Sequence, residues 1–72
     1  MTETKHERFQ RIASSRTNRI IDQLRLLGNC SNRSNYEFTD EEVKRVFNAI
    51  EAELKVQKAK FAASAKPERF KL

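Results

Sequence analysis

Apolar residues recur along two stretches of this chain with the period of an α-helix. In the second stretch Val43, Phe47, Ile50, Leu54, Gln57 and Phe61 follow one another at alternating spacings of four and three, with Val46 beside them. That is a heptad-like seam of nearly three repeats. In the first stretch Phe9, Ala13, Ile20, Leu24 and Leu27 fall on one stripe of a helical wheel, as expected of a core-facing side. Ile12, Ile21 and Leu26 fall outside that stripe, so the segment 20–27 is apolar over most of its circumference. One partner helix cannot cover all of it.

The polar residues between these stripes mark where each helix starts and stops. Thr39 and Glu42 have the spacing of a capping box, in which the threonine oxygen accepts from the third helical N–H and the glutamate reaches back to the cap N–H. Phe38 and Val43 are placed to pack together as a hydrophobic staple, and Asp40, Glu41 and Glu42 put negative charge at the positive end of the helix dipole. Thr4 and Glu7 repeat the capping-box spacing for the first helix, and Gly28 supplies a residue that tolerates a left-handed ending. The residue before Pro67, Lys66, is pushed away from helical geometry.

The predicted organisation is therefore a helical region over 1–66, with helices at about 5–27 and 40–65 and a loop over 28–39, followed by a flexible tail over 67–72 in which Phe70 and Leu72 are available to dock on a partner. Helices of about 23 and 26 residues span roughly 35 and 39 Å. The expected fold class is all-α, a long antiparallel two-helix hairpin. Two helices bury little by themselves, and a small chain without staples has a marginal core. Two hairpins are accordingly expected to dimerise into a four-helix bundle, with Ile12, Ile21, Leu26 and Val46 as the candidate oligomer interface. Gln57, polar on an apolar seam, is either a registry element or part of a fraying edge.

The loop is longer than helix connections usually are. Asn29, Asn32 and Asn35 with Ser31 and Ser34 can bond neighbouring backbone, which makes a self-capped loop anchored by Tyr36 and Phe38 one reading. The other is a recognition loop at the hairpin tip, with Arg33 and Tyr36 as its partner-binding contacts.

Composition narrows the function further. The chain has 72 residues and a net charge of +5, from 15 Lys and Arg against 10 Asp and Glu. Cys30 is its one cysteine, which excludes an intramolecular disulfide and suits a reducing compartment. The polar N-terminus and the lack of any long apolar run argue against a signal peptide or a membrane span, so a cytoplasmic location is expected. His6 is the single histidine, Gly28 the single glycine, and the acidic residues lack a metal-ligating partner. Neither a catalytic constellation, nor a phosphate loop, nor a metal or cofactor site is therefore expected.

The basic residues carry the remaining chemistry. Lys5, Arg8, Arg16 and Arg19 fall within one quadrant of the first helix, and Arg11 and Arg25 extend the arc. Arginine forks bind phosphate in two-point geometry. Lys55, Lys58, Lys60, Lys66, Arg69 and Lys71 cluster toward the end of the second helix and beyond it, which in an antiparallel hairpin lies beside the start of the first. The candidate phosphate-binding set is Lys5, Arg8, Arg11, Arg16, Arg19, Lys58 and Lys60. Pairing with Glu3, Glu7 and Glu68 is the competing role for these cations.

The run from Arg16 to Asp22, then Leu26-Leu27-Gly28-Asn29-Cys30-Ser31-Asn32-Arg33-Ser34-Asn35-Tyr36 and Phe38-Thr39-Asp40-Glu41-Glu42-Val43, resembles small, mostly uncharacterised helical proteins of plasmids and conjugative elements of Gram-positive bacteria. The likeness extends over about two thirds of the chain. It implies an accessory role on a mobile element and supplies no functional residues. The resulting expectation is a non-enzymatic interaction or regulatory protein that self-associates and binds a protein partner; the alternative is a nucleic-acid-binding accessory protein using phosphate contacts.

Overall fold

The computed structural model describes residues 2–64. Among them the only regular elements are helical: α1 (Lys5–Gly28), a single 3₁₀ turn (Asn29–Ser31) and α2 (Asp40–Ser64). The all-α class follows directly. The chain divides into two units, Met1–Glu37 and Phe38–Leu72. The proline stop at Lys66 and Pro67, the helix limit at 65 and the tail over 67–72 lie outside the described residues.

In the first unit both halves of the predicted capping box form. The Glu7 N–H donates to Thr4 Oγ1 at 3.0 Å, and the Thr4 N–H donates to Glu7 Oε1 at 2.9 Å. Two of the N–H groups that a helix start leaves orphaned are thereby satisfied without water. Thr4 is extended, with φ −72° and ψ 163°, while its carbonyl accepts the first helical bond from the Arg8 N–H at 3.0 Å.

The end of α1 differs from the sequence expectation. Gly28 is not left-handed; it continues the right-handed helix with φ −59° and ψ −30°. No described residue has a positive φ. Asn29, also right-handed, directs its N–H at the carbonyls of Arg25, Leu26 and Leu27, and the coil tightens into the 3₁₀ turn. The orphan carbonyls are reached by tightening rather than by reversing the backbone, so the freedom of glycine is not used.

The apolar stripe of α1 is interrupted. Ser14, Ser15, Arg16, Thr17, Asn18 and Arg19 form a polar belt around the helix, separating Phe9, Ile12 and Ala13 from the apolar segment at its C-terminal end. Ile12, Ala13 and Leu27 are half-buried, and α1 contains no buried residue.

In the second unit the Glu42 N–H donates to Thr39 Oγ1 at 3.1 Å and the Thr39 N–H to Glu42 Oε1 at 2.9 Å, the second capping box the sequence predicts. Phe38 and Val43, the two staple positions, are half-buried, as is Ile50. The rest of the seam is exposed, reaching 57% at Leu54 and 65% at Phe61. Among the described residues of α2, too, nothing is buried.

Candidate functional site

The loop positions Arg33 and Tyr36 by means of one residue. Asn32 Oδ1 accepts from the Ser34 N–H at 3.0 Å, and the Asn32 carbonyl accepts from the N–H groups of Asn35 at 3.1 Å and Tyr36 at 3.0 Å. The Asn32 N–H in turn donates to the Asn29 carbonyl at 3.4 Å. This is an asparagine side chain standing in for backbone in a tight turn. Arg33 lies within that turn and Tyr36 immediately after it, both exposed. The self-capping expected of the loop is thus present, and Asn32 is the residue that provides it. The two candidate recognition residues are held on one small turn.

The basic arc of α1 is divided by Glu3. Its carboxylate takes the Arg11 fork two-point, with Nε to Oε2 at 2.8 Å and Nη2 to Oε1 at 3.0 Å, and Arg8 Nε approaches Oε1 at 3.7 Å. Arg11's hydrogen bond, ahead of its charge and the approach of Arg8, holds the Glu3 carboxyl below the usual carboxylate range, and the same bond raises Arg11. Glu7 is also lowered, chiefly by the Thr4 backbone N–H that it accepts in the capping box. Lys5, Arg16 and Arg19 make no ion pair among the described residues. Of the five candidate phosphate-binding cations on α1, Arg11 is committed to Glu3 and Arg8 leans toward it.

On α2 the candidate cations do not converge. Lys58 and Lys60 are two positions apart, roughly 200° around a helix, and so point to opposite sides. Lys66, Arg69 and Lys71 lie outside the described residues. The candidate oligomer interface is similarly distributed: on α1, Ile12 and Leu26 share a side within about 40°, whereas Ile21 lies about 180° from Ile12. Ile21 is 40% exposed, Leu26 58% and Val46 41%. Val46 borders the α2 seam, where helical spacing sets it beside Val43 and Ile50.

Gln57, the polar member of the seam, donates from Nε2 to Glu53 Oε2 at 2.6 Å, four residues earlier on the same helix. The glutamate–glutamine spacing carries that bond, a partner that inspection of the apolar pattern alone passes over. Cys30 is exposed in the 3₁₀ turn. No group of three or more His, Cys, Asp or Glu among the described residues is arranged to hold a metal ion, and no described helix is long and apolar enough to cross a membrane.

No family model, curated protein or solved structure matches this chain.

Proposed function

We propose that this protein is a small non-enzymatic interaction or regulatory module whose two helices close as an antiparallel hairpin and whose hairpins associate in pairs as a four-helix bundle. The carrying observation is the exposure of its large apolar side chains: Phe9, Ile20, Leu24 and Leu26 on α1, and Phe47, Leu54, Val56 and Phe61 on α2, are each more than two fifths exposed. Burying a leucine, isoleucine or phenylalanine fully stabilises by about 1.5–3 kcal/mol, so association offers a large gain that these surfaces are patterned to take. A protein partner is read at the turn carrying Arg33 and Tyr36, an arginine and a tyrosine being the residue types enriched where binding energy concentrates. An accessory role on a mobile genetic element accords with the resemblance of the loop string. Sedimentation equilibrium at micromolar concentration is expected to return twice the 8.5 kDa chain mass; a folded monomer would remove the bundle.

A second reading is supported by Lys5, Arg16 and Arg19, exposed and without ion pairs among the described residues. In it the protein binds nucleic acid through the phosphate backbone. Affinity for generic duplex DNA would then fall steeply with salt, because each phosphate contact releases counterions. Absence of binding at about 50 mM salt, where such contacts are strong, would exclude it.

A further inference from the structure

The α2 seam contains enough information to specify how a second copy meets it. Written as a heptad, Phe47, Leu54 and Phe61 occupy the a positions and Val43, Ile50 and Gln57 the d positions. The flanking e positions are then Lys44, Glu51 and Lys58, and the flanking g positions Val46, Glu53 and Lys60. Those flanks distinguish the two possible directions of pairing.

In an antiparallel pair with the whole seam overlapped, e positions meet e positions and g positions meet g positions. Lys44 would face Lys58 of the second copy, Glu51 would face its own equivalent, and so would Glu53. Each is a like-charge juxtaposition, and Gln57 would be set against Phe47, an amide against an aromatic ring. In a parallel pair in register, a g position meets the following e position of its neighbour. Glu53 then faces Lys58 of the second copy, twice by symmetry, and the two Gln57 amides share one layer where they can bond each other. Glu53 is prepared for this: Gln57 occupies its Oε2, and Oε1 accepts no hydrogen bond among the described residues. Charge at e and g positions sets orientation, and a single polar layer sets register.

We propose that α2 docks on α2 of a second copy of this chain, parallel and in register, through Val43, Phe47, Ile50, Leu54 and Phe61, with Glu53 of each copy facing Lys58 of the other. This rests on the self-association proposed above and adds its geometry. Val46, at a g position, extends the apolar surface along one side of the pair. The basic arc of α1 and the turn at Arg33 and Tyr36 are not used, so both stay available for another partner.

The test uses the full chain carrying Cys30→Ser, with one cysteine introduced at a time under a glutathione redox buffer. In the parallel register Val43→Cys and Phe61→Cys, near opposite ends of the seam, both place their cysteine beside its own equivalent. Each is expected to give at least about tenfold more disulfide-linked dimer than the control Ala52→Cys on the far side of α2, since a bridge needs Cα atoms within about 7 Å. In the antiparallel pair the two Val43 positions stand about 27 Å apart and no bridge forms. A dimer by sedimentation with no bridge at either end overturns the parallel pairing and leaves self-association standing; a monomer overturns both. Charge exchange, which leaves the apolar seam intact, provides the second measurement. Glu53→Lys or Lys58→Glu alone is expected to weaken the dimer about 3- to 30-fold, and the two together to restore it to within about threefold. Unchanged dissociation constants in both single variants, or failure of the double variant to recover, would reject the pairing.

Discussion

At the scale of single residues, the acidic side chains near the start of α1 each serve a local hydrogen-bonding role. Glu7 completes a capping box and Glu3 clasps Arg11, and both carboxyls are held below the ordinary range by the donors that face them. A carboxyl whose folded value is depressed stabilises the fold fully above its unfolded value, about 4.3, and loses that contribution as the pH falls through the folded value. The start of α1 is therefore expected to loosen as acidification passes below the ordinary carboxylate range. NMR titration of the Thr4 and Glu7 amide protons should show midpoints below the ordinary glutamate value, and Glu7→Gln, which can keep the hydrogen bond without the charge, should lose the Glu7-dependent part of the response. A midpoint at or above the ordinary value would contradict the capping-box account. Both boxes were legible in the sequence because a threonine and a glutamate three residues apart bond within a single turn. The clasp between Glu3 and Arg11 was legible only as one competing role for the cations, since a flexible arginine has several carboxylates within its reach.

At the scale of the elements, the starts of the helices follow local chemistry more closely than their ends. The sequence places α1 over 5–27, and the helix runs one residue further before tightening into the 3₁₀ turn. Glycine adopts the left-handed conformation without penalty, which makes Gly28 a natural helix stop; the backbone here stays right-handed. A methyl group added at Gly28 would meet nothing within 4 Å. Gly28→Ala is accordingly expected to stabilise α1 by about 0.5–1 kcal/mol, as alanine replaces glycine at an unstrained helical position. Increased helicity by circular dichroism and slower amide exchange at Leu24 and Arg25 would report it. A loss of similar size would mean that the left-handed ending is populated in solution. In the loop, composition pointed to self-capping, and the structure assigns that work to Asn32. The choice among neighbouring asparagines depends on which side chain the turn aims at a free N–H, and spacing alone does not determine that.

At the scale of the whole molecule, neither helix has a buried residue among those described, and the proposed self-association would tie stability to assembly. The cost of ordering helices of this length is offset mainly by packing of an amphipathic face. Thermal stability is therefore expected to depend on protein concentration, with Tm rising as the chain is concentrated from about 1 to 100 μM, because mass action favours the assembled state. A Tm independent of concentration over that range would argue for a monomer that is stable by itself. The proposed assembly would present the turns carrying Arg33 and Tyr36 and the basic arcs in pairs, which would raise avidity for a partner with two sites.

The sequence by itself determined the helical class, the two helix starts and the apolar seam of α2. Each depends on residues no more than a few positions apart, where period, capping and charge act through the same short stretch of backbone. Three-dimensional structure decided how α1 ends, which asparagine builds the turn, which cations Glu3 occupies and which side chains are left exposed. Those outcomes depend on where backbone groups and long side chains meet in space, because several partners of equal chemistry compete and only geometry selects among them.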